Sequence, residues 1–416
     1  MISSIDVVII GAGPYGLSLA ANLRAQRIDF RIFGDSMRFW RDMPIGVNLK
    51  SLAFATTISV PVKGHSFPEW CRRNRLEDFE PCTMQSFAVY GLEIQKRFVP
   101  ELEQSFVARV ERADAGFETT LLSGEVIRSR RVVVCTGLSG LEQIPEVLKG
   151  LGREQMRHTG FISDYSEFRN KRVAVIGAGA SAIEAGALVQ EAGGTSEIVV
   201  RAPEVIFHDR APLVRPLLAR LRDPISALGA SRKGWILQHF PLIAHRMPAD
   251  RRMRILREYL APASPWWIKD RVVGKVPINL QREVVGTRVT GDGVLLAIRD
   301  SQNAVKEIEV DYVIAGTGYE ANISRLRFRE DVLRNSVQAI DGSPRLNANF
   351  ESSATGLHFL GPLSGMSFGP LFRFVAGAPF ATRRLSRYIA QQRGTVVRSR
   401  RTAETPQRPG KIVSQE

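Results

Sequence analysis

Two short stretches of the chain carry small residues at the spacing needed to hold a diphosphate group. Each follows an apolar run, VVII in the first stretch and VAVI in the second, and each precedes residues that favour a helix. The small residues allow a tight turn, a close approach of the backbone to a pyrophosphate and close packing of helix on strand. The N–H groups and the positive dipole end of the helix then face the phosphates. The positions are Gly11, Gly13, Pro14, Tyr15 and Gly16 in the first turn and Gly177, Gly179, Ser181 and Ala182 in the second.

The elements around these two turns follow the same order. Each turn leads into a helix, a second strand (FRIF in the first half, EIVV in the second) and a run of short alternating strands typical of a β-meander. Each half ends in an apolar strand that closes on Thr-Gly, at Thr136-Gly137 and at Thr317-Gly318. A single glycine motif is weak evidence, but two copies in this context predict an α/β protein with two Rossmann-like dinucleotide-binding domains, each with a β-meander.

The residue at the end of the second strand indicates which nucleotide each half binds. In the second half it is Arg201, and because an arginine there can pair with a 2′-phosphate, we predict that this half binds NADPH. The alternative is an arginine that only solvates the strand end. In the first half the acid is displaced by one position to Asp35, so the prediction of FAD there comes from the order and context of the two copies.

A glycine-rich segment near the C-terminus predicts that the chain returns to the first nucleotide. The stretch GLHFLGPLSGMSFGPLF indicates a strand, a glycine loop and a helix beginning near Pro370, whose N-terminus would stabilise negative charge on a reduced flavin. We expect FAD contacts from Gly361, Gly369 and Leu371 of this segment and from Trp40, Ser51 and Val107 earlier in the chain.

These elements divide the 416 residues into an interrupted first domain and a second domain within it. We predict that residues 1–165 and 321–382 form the FAD-binding domain and that residues 166–320 form the NADPH-binding domain. Residues 206–270 have helical apolar spacing and predict a helical insertion, either as a lid over the substrate or as helices that pack on their neighbours. Residues 383–416 are predicted to form a disordered basic tail.

Charge and cysteine content exclude several other classes of protein. The net charge is +15, but residues 201–275 hold 15 Lys and Arg against 6 Asp and Glu, and residues 383–416 hold 9 against 2. The rest of the chain is close to neutral, so no nucleic-acid partner is expected. The three cysteines include no CxxC pair, which argues against a disulfide framework, a dithiol reductase and a metal site. No apolar stretch is long enough to span a membrane, and we expect a cytoplasmic protein.

Two further segments resemble a known class of enzymes. The stretch GVNLKSLAFATTISVPVKGHSFPEWC and the motif DYVIAGTGY are similar to segments of the single-component FAD- and NADPH-dependent monooxygenases, which include flavin-containing monooxygenases and the N-hydroxylases of ornithine and lysine. Lys50 matches a lysine that lies beside flavin and substrate in the N-hydroxylases. Ala315 and Gly316 stand where their motif has Leu or Phe and then Ala. The stretch MRFWRDMPIGVNLKS is in addition similar to the FAD-dependent urate hydroxylases.

The resemblance implies an oxygen-transferring activity. NADPH would reduce FAD, and the reduced flavin would react with O2 to a C4a-(hydro)peroxide that transfers one oxygen atom to a small-molecule substrate. In that scheme Lys50 is a catalytic residue that contacts the peroxide, the nicotinamide or an anionic substrate group; the alternative is a solvated lysine. Two other functions stay open: an NAD(P)H-dependent flavin reductase that passes electrons to a protein or quinone, and a non-catalytic nucleotide-binding or redox-sensing protein. The oligomeric state and the substrate are left open by the sequence.

Overall fold

Two sheets, each with a parallel part and its own glycine turn, organise the protein. The computed structural model describes residues 5–76, 80–210, 215–291, 293–326 and 336–403, with side chains up to residue 392. We call the unit built on the first sheet the first nucleotide fold and the unit built on the second sheet the second nucleotide fold. Together they confirm the predicted α/β class with two dinucleotide-binding folds.

The first sheet joins a parallel nucleotide fold to a β-meander. Its order is β2-β1-β5-β4-β3, with β18 paired to β5. The strands are β1 (Ile5–Ile10), β2 (Phe30–Phe33), β3 (Val107–Ala113), β4 (Gly116–Leu121), β5 (Val126–Val134) and β18 (Leu357–Phe359). β1 lies between β2 and β5, and its apolar residues 7–10 are buried, as a central parallel strand requires. The long strand β5 belongs to both parts of the sheet and therefore holds the meander against the nucleotide fold.

The second sheet is parallel throughout, and its meander forms a separate sheet. The orders are β11-β8-β7-β15-β6 and β12-β13-β14. The strands are β6 (Met156–His158), β7 (Arg172–Ile176), β8 (Thr195–Val199), β11 (Ile278–Asn279), β12 (Glu283–Thr290), β13 (Gly293–Arg299), β14 (Val305–Val310) and β15 (Tyr312–Ala315). The two sheets separate at Asp311, whose carboxylate accepts the backbone N–H of Arg172 at 2.6 Å and pairs with its guanidinium at 2.8 Å. β7 takes the central place that β1 has in the first sheet.

Helices cover the faces of both sheets. Outside the insertion they are α1 (Pro14–Ala25), α2 (Arg38–Arg41), α3 (Phe67–Arg73), α4 (Met84–Phe98), α5 (Ala180–Glu191), α11 (Gly365–Phe368) and α12 (Ala378–Ala403). α1 and α5 begin directly after the glycine turns and are buried over most of their length. α3 begins at a capping box in which Ser66 and Glu69 satisfy each other's backbone N–H groups. In the part of the chain that the structure describes, no helix is both long and apolar enough to cross a bilayer.

The insertion is largely helical, and it packs on both nucleotide folds. It contains α6 (Leu217–Arg222), α7 (Arg232–His239), α8 (Pro241–Arg246), α9 (Ala249–Tyr259), α10 (Trp266–Val272) and the hairpin of β9 (Ile225–Ser226) and β10 (Gly229–Ala230). A second small hairpin, β16 (Ala339–Ile340) and β17 (Ser343–Pro344), lies in the return segment. α10 packs on α5, while α8 and α9 pack on α11 of the return segment. The insertion therefore bridges the two folds, and its role as a lid stays a prediction.

The C-terminal helix differs from the prediction of a disordered tail from residue 383. Residues 383–403 continue α12, which packs along α1. Leu385 and Ile389 are fully buried on this contact, and Thr382 and Ser386 are buried beside them. The many arginines of the segment hide this apolar stripe in the overall composition, although the spacing of 385 and 389 is helical. Residues 404–416 lie outside the described part of the chain.

Candidate functional site

The first glycine turn packs directly on the strand end that precedes Thr136. Gly11 has a φ of +112°, and a Cβ there would lie 2.4 Å from the carbonyl oxygen of Cys135. A Cβ on Gly16 would lie 1.9 Å from the Gly11 carbonyl oxygen, so neither position accepts a side chain. Gly13 faces the Trp40 ring, and Pro14 begins α1. The turn thus presents bare backbone at a helix N-terminus, which fits a pyrophosphate.

Two buried hydroxyl groups beside this turn lack a partner among the described residues. They are Thr136 Oγ1, next to Gly137 after β5, and Ser36 Oγ, after β2. A buried hydroxyl without a hydrogen bond is costly, and a bound nucleotide would satisfy it. Asp35, the expected ribose contact, instead forms an ion pair with Arg41 at 2.9 Å.

The return segment closes on the first turn through Tyr15. The Tyr15 hydroxyl lies 2.8 Å from the Phe374 carbonyl oxygen and 3.1 Å from that of Phe372. Gly361 lies against the Tyr15 ring, since a Cβ there would be 3.4 Å from it. The helix expected to begin near Pro370 is only a short 3-10 turn, and the long helix α12 begins at Ala378.

The structure places the remaining FAD-side residues at different distances from the turn. Leu371 is buried in the return segment, and Gly369, with a φ of +98°, abuts α8 of the insertion at Ala244. The Ser51 hydroxyl lies 2.7 Å from that of Thr56. Val107 begins β3 at the outer edge of the sheet, three strands away from β1. No feature of the described structure links Val107 to the turn.

The second glycine turn repeats the geometry of the first. Gly177 has a φ of +142°, and a Cβ there would lie 2.3 Å from the Gly316 carbonyl oxygen. A Cβ on Gly11 would lie in the same way 2.4 Å from the Cys135 carbonyl oxygen. Space around Gly179 is open to 4 Å, and the exposed Ser181 lies in the first turn of α5. Ala182 replaces the third glycine, and a Cβ on Gly316 would lie only 2.4 Å from its methyl group. The Ala182 Cα atom would lie 2.6 Å from the same Cβ, so glycine at 316, a departure from the N-hydroxylase motif, lets both the backbone and the methyl group of Ala182 pack closely on this strand end.

The predicted phosphate-binding arginine lies on the surface. The Arg201 side chain is 81% exposed, and its nearest acid is Glu283 at 3.8 Å. Glu283 in turn pairs with Arg299 at 2.7 Å. The Arg201 guanidinium is therefore loosely held and open to solvent. The Thr317 hydroxyl donates to the Gln143 carbonyl oxygen, and the Gln143 N–H donates to the Gly318 carbonyl oxygen at 2.9 Å, so the Thr-Gly strand end is tied to residue 143.

Lys50 joins the two nucleotide folds. Its ammonium group forms an ion pair with Glu184, a residue of α5 that is only 3% exposed. Arg271 of α10 lies 3.6 Å from the other Glu184 oxygen and 2.8 Å from Glu191. Desolvation lowers the pKa of Lys50, and the Glu184 carboxylate opposes that shift. The sequence singled out Lys50 but gave no signal for Glu184, because an acid inside an apolar helix has no distinctive spacing.

A cluster of His158, Tyr319 and Arg373 lies where the second fold meets the return segment. The Arg373 guanidinium lies 5.5 Å from the Tyr319 ring centroid, and the rings of Tyr319 and His158 are 4.9 Å apart. Burial lowers the pKa of Arg373 to about 10, and burial lowers that of His158 to about 4. His158 Nδ1 accepts the Gly160 N–H, so Nε2 carries the proton and donates to the Gly318 carbonyl at 3.0 Å. Sequence reasoning missed Arg373, which no motif marks.

The described residues contain no cluster of three or more His, Cys, Asp or Glu side chains able to hold a metal ion. Two of the cysteines do lie together, however, since the sulfur atoms of Cys71 and Cys82 are 3.9 Å apart and buried. This distance is well beyond the bond length of a disulfide. The separation of eleven residues in sequence gave no indication of the contact.

The structure thus contains two dinucleotide-binding folds that contact each other through Lys50 and Glu184. The chain belongs to the pyridine nucleotide-disulphide oxidoreductase family, whose model matches residues 8–221.

Two named relatives and a solved structure are similar to this chain. The chain is 24% identical to the FAD-dependent urate hydroxylase of Xanthomonas campestris over 51% of this chain and 47% of that protein, about half of its length. It is also 24% identical to a probable indole-3-pyruvate monooxygenase of Arabidopsis thaliana over 76% of this chain and 75% of that protein. A solved structure of the ornithine N-hydroxylase of Kutzneria sp. 744 contains reduced FAD, NADP+ and L-ornithine. It superposes on this chain with a TM-score of 0.75 at 16% identity, and the superposition covers 94% of this chain and 100% of that chain. This likeness establishes the shared fold.

Proposed function

We propose that this protein is a monooxygenase that uses NADPH, FAD and O2 to hydroxylate a small molecule. The observation that carries the proposal is the contact between the folds, in which Lys50 pairs with Glu184 on the helix that follows the second turn. Nucleotides held at the two turns would sit on elements that already touch, as transfer between them requires. The names of the relatives, which describe hydroxylation of urate and ornithine and oxygenation of indole-3-pyruvate, support oxygen transfer to a small molecule.

Residues of each fold suit the nucleotide assigned to it. In the first fold the bare turn, the two unpartnered hydroxyl groups of Ser36 and Thr136 and the return segment suit FAD. In the second fold the open space at Gly179 suits a pyrophosphate, and Arg201 suits the 2′-phosphate of NADPH. When bound, FAD and NADPH supply hydride transfer and the activation of oxygen. The protein positions the two nucleotides next to each other. The ammonium group of Lys50 donates hydrogen bonds to the substrate or to the nucleotides between the folds.

The proposed reaction consumes one NADPH, one proton and one O2 for each substrate molecule. One oxygen atom enters the substrate, the other leaves as water, and NADPH leaves as NADP+. We expect NADPH to bleach the flavin of the purified protein without O2. With 18O2 and a substrate, one labelled oxygen atom should appear in the product, as mass spectrometry would show.

The alternative, a reductase that passes electrons to a protein or quinone, gives a different pattern. NADPH would still bleach the flavin, but an added quinone would be reduced quickly and no label would enter any product. Failure of NADPH to bleach the flavin would indicate a nucleotide-binding or redox-sensing protein. We also propose a cytoplasmic location and the division into an interrupted FAD domain and an NADPH domain.

A further inference from the structure

A cavity of about 680 Å³ lies between the Lys50 segment, the insertion and the first turns of α12. Its walls include Phe54 and Ala55, which follow Lys50 and Ser51 in the chain, and Gln238 and His239 of α7. Another wall is formed by Ala376 and the start of α12. This volume suits one small organic molecule.

The cavity is positively charged. Arg383, Arg384 and Arg387 line it, and none of its lining residues is acidic. Arg384 donates to the carbonyl oxygen of Ala348, which holds its guanidinium in place. The side chains of Arg383 and Arg387 make neither a hydrogen bond nor an ion pair with any described residue. The nearby acid Glu351, which precedes β18, interacts instead with Tyr388 of α12. Two guanidinium groups without acidic partners favour an anion.

Aromatic side chains face the same space. They are Phe54, which is 40% exposed, His239, Phe380 and Tyr388. The His239 ring is stacked on Trp235 with centroids 4.3 Å apart, so its orientation is fixed. Phe380 is held by edge contact with Phe372. Exposed aromatic faces beside arginines favour a planar ring that carries a negative charge.

Two walls of the cavity belong to segments that lead to the candidate site. Phe54 and Ala55 belong to a short 3-10 turn that begins three residues after Lys50. Ala376 precedes Gly377, where a Cβ would lie 2.4 Å from the Tyr15 hydroxyl of the first glycine turn. A molecule in the cavity would therefore contact one segment that begins close after Lys50 and another whose next residue, Gly377, packs against Tyr15.

We propose that this cavity binds the substrate as a small aromatic anion. Arg383 and Arg387 bind its carboxylate or enolate, and the aromatic side chains hold its ring. The second cavity that these arginines border, beside α1 and residues 57–69, contains Glu69 and suits an anion less well. The inference rests on the proposed function, because it makes the ligand the substrate of that reaction.

Binding can be measured without turnover by titrating the FAD-loaded protein, in the absence of NADPH, with indole-3-acetate and its neutral amide. We expect the acid to bind at least about tenfold more tightly than the amide. Replacing both arginines (Arg383→Gln with Arg387→Gln) should remove this preference. A matched control, Arg288→Gln on the exposed edge of β12, should keep it. Both arginines are exposed, so equal melting temperature and flavin content will confirm that the variants fold.

Several results would overturn the inference. One is equal affinity for the acid and the amide, and another is an unchanged preference in the double variant. A third is inorganic phosphate that competes with the acid as strongly as a second portion of the acid would, which would indicate a simple anion site. The proposed function fails separately: the acid would bind with the expected preference, yet no 18O label would enter any product. Conversely, 18O-labelled product from neutral amines, with no preference for anions in binding, would support the proposed function and refute the proposal that the cavity binds an anionic substrate.

Discussion

At the scale of single residues, Ala182 and Gly316 form a matched pair. A methyl group on Gly316 would lie 2.4 Å from the Ala182 methyl group and would push α5 away from β15. We expect Gly316→Ala to weaken NADPH binding roughly tenfold, because overpacking costs about 1–3 kcal/mol, and to leave the flavin content unchanged. Titration of the flavin-loaded protein with NADP+ measures the effect. The double variant Gly316→Ala with Ala182→Gly should recover only part of the affinity, because the Cα atom of residue 182 would still lie 2.6 Å from the added methyl group. If it binds no better than the single variant, the backbone contact alone accounts for the loss.

The proposed role of Arg201 is to favour NADPH over NADH. Its side chain is 81% exposed and only loosely paired, so replacing it should not disturb the fold. Arg201→Ala is expected to weaken NADPH binding by roughly tenfold while the weaker affinity for NADH stays constant, because only NADPH carries the 2′-phosphate. Rapid flavin reduction at varied nucleotide concentration gives both dissociation constants. With Arg288→Ala as the surface control, an equal loss for NADH would refute a 2′-phosphate contact.

His158 makes the stability of the protein sensitive to acid. Burial lowers its folded pKa to about 4, whereas the unfolded pKa is about 6.5. Between these values only the unfolded state binds the proton, so stability falls as the pH falls from 6.5 to 4, by up to about 3 kcal/mol. His358, whose pKa is also lowered to about 4 by burial, acts in the same direction. His158→Gln should therefore flatten, but not abolish, the fall in melting temperature between pH 6.5 and 4.5. If the variant and the wild-type protein show the same slope, His158 already binds the proton in the folded protein over this range.

At the scale of elements, α12 is the part of the chain that the sequence analysis misjudged. Leu385 is fully buried against α1, so Leu385→Ala should destabilise the protein by about 2–4 kcal/mol. Leu218→Ala provides a matched control, since Leu218 is 80% exposed on α6. Chemical denaturation with flavin release as a second probe measures both. Equal effects of the two changes would mean that α12 does not pack on α1 in solution.

Local patterns explain which elements could be predicted. Apolar runs followed by glycines mark the strands β1 and β7 and their turns. Because both faces of these central strands are buried, their residues are apolar throughout rather than alternating with polar ones. The predictions of a ribose contact at Asp35 and of a helix start near Pro370 each depended on a single position. In the structure Asp35 pairs with Arg41, and the long helix begins at Ala378. Contacts between distant elements, such as Lys50 with Glu184 or Arg373 with Tyr319, leave no trace in local spacing. The sequence therefore predicts the two folds and marks Lys50, but it does not predict the side-chain contacts that join the folds.

At the scale of the whole molecule, the Lys50 and Glu184 ion pair holds the two nucleotide folds together. Glu184 is 3% exposed and Lys50 keeps 30% of its side-chain surface, so Glu184→Gln should destabilise the protein by about 2 kcal/mol, less than for a fully buried pair. The same change removes the carboxylate that raises the pKa of Lys50, so desolvation will lower that pKa further.

This second effect tests whether Lys50 acts in catalysis. If the protonated ammonium group assists flavin reduction by NADPH, the rate falls as the pH rises through the pKa of Lys50, and in Glu184→Gln this fall should occur at lower pH. Lys50→Met should react slowly at every pH and show no such fall. Glu191→Gln removes a neighbouring acid that contacts Arg271 but not Lys50, and should leave the profile unchanged. If Glu184→Gln lowers the melting temperature while the pH profile stays that of the wild type, then Lys50 joins the folds without taking part in the reaction.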